Sequence, residues 1–195
     1  MGRCLMIWLW VSLAYGQTVL VIGDSLTEGY GLDPDDAYPA VLETLLRPKH
    51  PAIKVLNGGV SGSTTASAVQ RVKWFARAKP AVVVLALGAN DGLRGLDVKE
   101  SRKHLAAAVT AARAQGMKVL LAGMKMPTNY GRVYREEFEK MYLALAREQK
   151  LPLLPFLLEG VGGVPAMNLA DGIHPNKAGH ARVAQNLAAA LGEHL

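Results

Sequence analysis

One apolar run constrains the fold of this chain more than any other feature: the segment "AVVVLAL", residues 81–87. It contains three consecutive valines and no polar side chain, so it lacks the alternating pattern of a strand with one face in water. A strand buried on both faces belongs to a sheet covered by helices on each side, and such sheets are mostly parallel. The run therefore predicts a central strand of an α/β protein.

Apolar, β-rich segments alternate with amphipathic segments along the chain, which predicts a parallel sheet with helices on both faces. The 195 residues, with no internal repeat and no linker, correspond to one large domain. The predicted strands are Thr18–Ile22, Ile53–Leu56, Ala81–Leu87, Lys118–Ala122 and Leu153–Leu154. The predicted helices are Ala37–Leu46, Thr65–Ala78, Ser101–Ala114, Arg132–Gln149 and Asn176–Leu191.

Polar residues and glycines follow three of the predicted strands directly. Ser25 follows the first strand in "VIGDSLTEGYG", Gly62 follows the second in "NGGVSGST", and Asn90 follows the third in "GANDG". A fourth segment, "DGIHPN", supplies Asp171 and His174 near the carboxyl terminus. Ligands of open parallel sheets bind at the carboxyl ends of the strands, so we expect these segments to converge there.

Each segment also has a purely structural interpretation. Ser25 and Glu28 have the spacing of a helix capping box, although the glycines that follow leave little helix to cap. Residues 90–92 and 171–172 have the composition of turns. The coincidence of all four segments at predicted strand ends or in one nearby loop favours a functional site.

The residue types in these segments match those of nucleophilic catalysis. A serine hydroxyl becomes a good nucleophile when a base removes its proton, and an imidazole can do this near neutral pH. An acidic partner fixes the imidazole tautomer, and Asp171 lies three residues before His174, so one loop can present both. The oxyanion needs donors already in place, which the Ser25 and Gly62 backbone N–H groups and the Asn90 amide can supply.

Other assignments of these residues receive less support. His174 is preferred as the base because His50, His104 and His180 have no acid at comparable spacing, and we expect the pair of His194 and Glu193 to be solvated. Asp24 and Asp91 have too few partners for a two-metal centre, so we expect them to hold loops by accepting backbone N–H bonds. The sequence predicts no metal site and no cofactor.

The combination of motifs resembles the SGNH (GDSL-type) hydrolases. The blocks are GDS at residues 23–25, the glycine of "SGST", GxND at residues 88–91 and DxxH at residues 171–174. The segments "GANDGLRG", "NYGR" and "LPLLPF" further resemble a bacterial subgroup of thioesterase I, lysophospholipase L1 and arylesterase. The resemblance implies a three-layer α/β/α, flavodoxin-like fold with a five-stranded parallel sheet. It also implies hydrolysis of esters and thioesters through an acyl-serine.

Two segments beyond the strand ends are candidates for binding the acyl group, residues 91–96 and 124–134. They contain apolar and adaptable side chains, at Leu93, Leu96, Met124, Met126, Pro127 and Tyr130. Some of these are alternatively core residues beneath a loop. An acetylesterase acting on carbohydrates and a non-catalytic binding protein with the same fold are the other functions that we consider.

The amino terminus has the pattern of an export signal. Arg3 precedes an apolar run at residues 4–14, and small residues at Ala14 and Gly16 predict cleavage before Gln17. The expected organisation is a signal peptide at residues 1–16 and one hydrolase domain at residues 17–195, in the periplasm or secreted. An uncleaved membrane anchor is the alternative. Cleavage would remove the single cysteine, Cys4.

The net charge of +6 comes from scattered Lys and Arg residues rather than from a basic patch with aromatic side chains. The sequence therefore predicts no nucleic-acid partner. We expect the mature protein to be a monomer with a small-molecule ester, thioester or lysolipid substrate and without stable insertion into a membrane.

Overall fold

A computed structural model describes residues 17–192 and 194–195, and the predicted signal peptide lies outside these residues. Within them the chain forms a five-stranded parallel sheet with the strand order β2-β1-β3-β4-β5. The strands are β1 (Thr18–Gly23), β2 (Lys54–Gly59), β3 (Val82–Ala86), β4 (Lys118–Ala122) and β5 (Leu153–Leu154). This is the strand order of flavodoxin-like proteins, so the predicted fold class is confirmed.

Helices follow or connect the strands. The long ones are α2 (Tyr38–Leu46), α3 (Ala68–Phe75), α5 (Val98–Ala114), α6 (Arg132–Gln149) and α7 (Lys177–Leu191), and two short ones are α1 (Ser25–Glu28) and α4 (Ala89–Leu93). Helix α2 packs against α7, and α5 packs against both α3 and α6. Right-handed crossovers put α2 on one face and α3, α5 and α6 on the other, because the chain moves from β1 in opposite directions.

Strand β3 lies in the interior of the sheet, as its sequence predicts. All five of its residues are buried, and it pairs with β1 on one side and β4 on the other. It is one residue shorter at each end than the predicted segment. The region of residues 17–192 and 194–195 contains no helix with the length and apolarity needed to cross a membrane.

Strand β2 extends further than the sequence predicts, from Lys54 to Gly59 rather than from Ile53 to Leu56. It continues through two glycines because α1 passes directly over its carboxyl end. A Cβ atom on Gly59 would lie 2.1 Å from the Glu28 nitrogen, and one on Gly58 would lie 2.7 Å from the Val21 carbonyl oxygen. The glycines therefore permit close approach of backbones and do not end the strand.

Several helix boundaries also differ from the predicted ones. Helix α5 begins at Val98, three residues earlier than predicted, because Asp97 caps it by accepting a hydrogen bond from the Lys99 N–H (2.8 Å). The predicted helix at residues 65–78 is shorter, since 3₁₀ turns flank α3 on both sides. Helices α1 and α4 occupy segments for which the sequence predicts only loops or turns. Both contribute residues to the site.

Candidate active site

Ser25 is the first residue of α1, directly after β1. Asp24 caps this helix by accepting a hydrogen bond from the Leu26 N–H at 3.0 Å, so Ser25 is not the cap and the capping-box interpretation is wrong. The Ser25 side chain thereby remains available for other contacts. Gly23 allows the tight connection, because a Cβ atom there would lie 1.7 Å from the Thr27 hydroxyl.

His174 and Asp171 approach Ser25 from the loop before α7. The Ser25 Oγ lies 2.9 Å from His174 Nε2, and His174 Nδ1 lies 2.7 Å from Asp171 Oδ2. The other oxygen of Asp171 accepts the backbone N–H groups of Ile173 (2.9 Å) and His174 (3.0 Å). A continuous chain of hydrogen bonds thus joins a carboxylate, an imidazole and a hydroxyl.

Asp171 is held in its ionised form. The backbone N–H groups of His174 and Ile173, and then the His174 side chain, lower the pKa of this carboxyl to about 2. An ionised carboxylate accepts hydrogen bonds only, so the proton of the neutral imidazole lies on Nδ1. The lone pair of Nε2 then faces the Ser25 hydroxyl, which is the tautomer that a general base requires.

The ring of Tyr30 packs against the imidazole of His174, a contact that the sequence did not predict. The centroids of the Tyr30 and His174 rings are 4.5 Å apart, with 37° between their planes. The tyrosine ring is half exposed and forms part of the rim of the cleft. No pattern distinguishes this tyrosine in the sequence, because its contact depends on a residue more than 140 positions away.

Gly62 lies in a tight turn after β2. The Ser63 N–H donates to the Val60 carbonyl at 3.1 Å, and Gly62 occupies the third turn position with φ of 75°. Ser61 before it has a negative φ, and this combination of signs is that of a type II turn. A side chain at Gly62 would be strained by this backbone conformation, which explains the glycine in "SGST".

Asn90 lies in α4, directly after β3. Its Nδ2 donates to the Ser63 carbonyl at 3.0 Å, which leaves one amide hydrogen for another acceptor. Gly88 makes the sharp entry into α4 with φ of 126°, and a Cβ atom there would lie 2.1 Å from the Tyr142 hydroxyl. Ser25, Gly62, Asn90 and His174 all line the same cleft, so the predicted convergence is observed.

Asp91 points away from the cleft and holds the surrounding loops. Its carboxylate accepts the Thr65 N–H at 2.9 Å, the Thr65 hydroxyl at 2.5 Å and the Ser101 hydroxyl at 3.1 Å. His104 contacts the same Thr65 hydroxyl at 3.2 Å, so it belongs to this structural network. The role predicted for Asp91 is therefore observed, as is that of Asp24 at the start of α1.

Asp24 is buried beside the nucleophile, and one of its oxygens has no partner among the described residues. Burial raises the pKa of this carboxyl to about 6, although the Leu26 N–H and the charges of His174 and Arg71 act in the opposite direction. Arg71 donates to the Gly23 carbonyl at 2.7 Å. The described residues contain no group of three or more His, Cys, Asp or Glu side chains placed to hold a metal ion.

His180 is buried in α7 and contacts the backbone of α2 rather than Ser25. Its Nδ1 accepts the Tyr38 N–H at 3.0 Å, and burial is the main cause that lowers its pKa to about 4. The imidazole is therefore neutral near pH 7. Of the described histidines, His174 is the one that contacts the Ser25 hydroxyl.

The cleft has a volume of about 760 Å³ and is lined mainly by apolar side chains. Four predicted acyl-binding residues line it: Leu93, Met124, Met126 and Pro127. The other two do not line it. Leu96 lies beyond the end of α4 and is 42% exposed, while Tyr130 braces the rim by donating from its hydroxyl to the Leu93 carbonyl at 3.0 Å.

Other residues that line the cleft were not predicted from the sequence. The additional apolar side chains come from α1 and from the loops after β5 and before α7: Leu26, Phe156, Leu158 and Ile173. Phe156 lies in the segment "LPLLPF", two residues beyond the predicted end of β5, and this position after a strand was the signal that could have identified it. Lys125 adds a cation at the rim, with its Nζ 5.2 Å from the centroid of the Phe156 ring.

The strand order is that of a three-layer α/β/α fold. The hydrogen-bonded serine, histidine and aspartate, which meet at the carboxyl edge of the sheet, are the arrangement of a hydrolase. A family model described as "GDSL-like Lipase/Acylhydrolase family" matches residues 21–182, and the chain belongs to this family. It is accordingly an enzyme of the ester-hydrolase class, and the family predicted from the four sequence blocks is confirmed.

Named relatives match most of the chain. It is 43% identical over 188 residues to "Esterase TesA" of Pseudomonas aeruginosa, covering 96% of this chain and 94% of that protein. It is 36% identical over 165 residues to "Thioesterase 1/protease 1/lysophospholipase L1" of Escherichia coli K12, covering 84% and 78%. A solved structure described as "Crystal Structure of TesA" superimposes with a TM-score of 0.88 at 43% identity and covers 92% of this chain and all of that one.

Proposed function

We propose that this protein hydrolyses carboxylic esters and thioesters that carry acyl chains, through an acyl intermediate on Ser25. The observation that carries the proposal is the hydrogen-bonded series Asp171–His174–Ser25, which opens into an apolar cleft. The names of the relatives, an esterase and a thioesterase/lysophospholipase, support the same chemistry. The whole series lies within one chain, and we infer a monomer, which light scattering after size exclusion would test.

The reaction begins when His174 Nε2 takes the proton of the Ser25 hydroxyl as Oγ attacks the acyl carbon. The carbonyl oxygen becomes an oxyanion, which accepts hydrogen bonds from the Ser25 N–H, the Gly62 N–H and the free hydrogen of the Asn90 amide. When the tetrahedral intermediate collapses, the bond to the alcohol or thiol breaks, and the imidazolium returns the proton to the leaving group. The acyl group is then on Ser25.

Deacylation repeats these steps with water as the nucleophile. His174 removes a proton from water, the hydroxide adds to the acyl carbon, and the Ser25 oxygen leaves with the proton that the imidazolium returns. Asp171 keeps the imidazole oriented and stabilises its positive charge in both halves of the reaction. The products are a carboxylic acid and the regenerated enzyme.

The cleft favours an acyl chain over an acetyl group on a sugar. Its lining side chains are mainly aliphatic, aromatic and thioether groups, and thioethers adapt to flexible ligands. Its volume is within the range of about 300–1,000 Å³ that is usual for small-molecule sites. Aryl esters, acyl-thioesters and lysolipids all present an acyl chain of this kind.

The first test is a series of p-nitrophenyl esters from acetyl to palmitoyl, with acyl-coenzyme A thioesters measured in parallel. We expect kcat/KM to rise beyond acetyl as the chain fills the cleft. A maximum at acetyl would favour the carbohydrate acetylesterase, and no turnover of any ester would favour a binding protein. EDTA should leave the activity unchanged.

The second test concerns the nucleophile. A fluorophosphonate probe should label Ser25 covalently, because an activated serine attacks phosphorus as it attacks carbon. Ser25→Ala should lose the label and on the order of a thousandfold or more of kcat. Ser67→Ala is a matched control and should retain both, since among the described residues the Ser67 hydroxyl binds only the Thr64 carbonyl and Ser67 does not line the cleft. Labelling of another serine would refute the assignment.

We also propose that residues 1–16 are a signal peptide, so that the mature enzyme is the domain at residues 17–195 and acts in the periplasm or outside the cell. The support is the pattern of Arg3, the apolar run and the small residues before Gln17. Expression in a bacterial host followed by N-terminal sequencing of the periplasmic fraction should give a chain that begins near Gln17. Full-length protein retained in the membrane would indicate an anchor instead.

A further inference from the structure

We infer that Glu28 and Arg94 are positioning residues that hold the oxyanion loop, residues 61–63, from two opposite sides. The inference rests on the proposed function, because it concerns the aim of the Gly62 N–H toward the oxyanion. Neither residue touches the reacting atoms. Each acts through a hydrogen bond to the oxyanion loop.

Glu28 ties the oxyanion loop to the helix that carries the nucleophile. It is the last residue of α1, and its carboxylate accepts hydrogen bonds from both the N–H (2.9 Å) and the hydroxyl of Ser61. Ser25 begins the same short helix. The carboxylate therefore fixes the distance between the nucleophile and the amino-terminal side of the oxyanion loop.

Arg94 ties the other side of the loop to α4. It follows the last residue of α4, and its Nη2 donates to the Gly62 carbonyl at 3.0 Å. Asn90, on the same helix, donates to the Ser63 carbonyl at 3.0 Å. The helix that carries one oxyanion donor thus also orients the loop that carries another.

The two contacts lie on either side of the peptide unit that carries the Gly62 N–H. The Gly62 N–H belongs to the peptide between Ser61 and Gly62, and the anchored atoms are the Ser61 nitrogen before it and the Gly62 carbonyl oxygen after it. A glycine at φ of 75° has more conformational freedom than any other residue. Side-chain contacts on both sides compensate for this freedom and keep the N–H in one direction.

A general stabilising role explains these contacts less well. Among the described residues, neither Glu28 nor Arg94 takes part in an ion pair, and both side chains are exposed. Exposed charges contribute little to stability. Glu28 is also not part of a capping box, because Asp24 is the cap and the carboxylate points to Ser61 rather than back along α1.

The experiment compares Glu28→Ala, Glu28→Gln, Arg94→Ala and Arg94→Lys by steady-state kinetics on the best p-nitrophenyl ester, with melting temperatures measured beside them. Each alanine variant should lower kcat on the order of tenfold, less than the loss of a direct donor, with KM little changed. Glu28→Gln and Arg94→Lys should recover most of the rate, because they still accept or donate the same hydrogen bond. Glu136→Ala is the control, since Glu136 is an exposed carboxylate in surface ion pairs on α6.

The double variant Glu28→Ala/Arg94→Ala gives a sharper test. Both contacts act through one N–H group, so the double variant should lose less than the product of the two single losses. Full multiplication of the losses, or a kcat of Glu28→Ala within twofold of the parent, would overturn the inference. So would a Gln variant as slow as the Ala variant. If Glu28→Ala does not fold, the Gln and Arg94 variants decide the question.

The failure of this inference is distinguishable from that of the proposed function. An active parent enzyme with fluorophosphonate labelling at Ser25, whose Glu28 and Arg94 variants keep full kcat, would refute only the positioning role. A parent that neither hydrolyses esters nor takes the label would refute the proposed function.

Discussion

Replacement of Asn90 by alanine separates catalysis from scaffolding, because the proposed mechanism gives the two amide hydrogens different tasks. One hydrogen binds the Ser63 carbonyl at 3.0 Å in the resting enzyme, and we propose that the other binds the oxyanion. Loss of the first bond should lower the free energy of unfolding by about 1 kcal/mol. For a chain of this size that corresponds to roughly 2–4 °C in melting temperature.

Loss of the second hydrogen should have a much larger effect, and on the reaction alone. Removing one oxyanion donor typically lowers kcat by roughly 10²–10³-fold, about 3–4 kcal/mol in the activation barrier. The charge exists only near the transition state, so KM should change little. Asn90→Asp should be slower still, because a carboxylate donates nothing and repels the oxyanion.

The assay is steady-state kinetics on folded Asn90→Ala, with its thermal unfolding measured in the same buffer. Asn186→Ala is a matched control, since the Asn186 amide donates to the Glu159 carbonyl at 2.8 Å on the surface of α7. The control should lose stability by a similar amount and keep its kcat. If Asn90→Ala keeps kcat within fivefold of the parent, Asn90 is a scaffold residue and the oxyanion assignment fails.

Three further predictions follow from the site and its surroundings. Burial lowers the pKa of His180 to about 4, so this imidazole alone should remove about 3 kcal/mol from the free energy of unfolding as the pH falls from 6.5 to 4, and in urea unfolding His180→Asn should expose the opposing contribution of Asp24. Burial raises the pKa of Asp24 to about 6, so this carboxyl has the opposite effect. As the pH rises from 3.8 to 6 the carboxyl ionises more readily in the unfolded chain, which lowers the free energy of unfolding by about 3 kcal/mol. The contributions of His180 and Asp24 to the pH dependence of the free energy of unfolding largely cancel in the parent. Asp24→Asn should therefore reveal the contribution of His180. A free energy of unfolding that stays independent of pH in this variant would contradict the argument. Tyr30→Ala should lower kcat roughly two- to tenfold through loss of the contact between its ring and His174, whereas Tyr30→Phe should match the parent, and equal rates for both would show that the ring does not position the imidazole.

The sequence predicted the features that depend on local pattern. The run at residues 81–87 identified the central strand, and β4, β5 and α6 have the predicted bounds. The positions of Ser25 and Asn90 after the first and third strands followed from the same reasoning. Parallel strands place their carboxyl ends at one edge, so a correct order of elements is sufficient to bring such residues together.

The features that the sequence did not predict depend on contacts between distant segments. The glycines of β2 suggested the end of a strand, but they serve the close passage of α1. Glu28 suggested a capping box, but it binds Ser61 in the loop after β2. Tyr130 suggested an acyl contact because it is apolar and near the site in sequence, but its hydroxyl braces the rim. For Glu28 and Tyr130 the direction of the side chain, rather than the residue type, decides the role.

The separation of the nucleophile from its base has a consequence for biosynthesis. Ser25 and His174 lie 149 residues apart, and the hydrogen bond between them joins the first strand to the loop before the last helix. A nascent chain shorter than 174 residues therefore carries a serine without its base. The contact that the proposed mechanism requires therefore forms only after residue 174 has been synthesised and the loop before α7 has folded against α1.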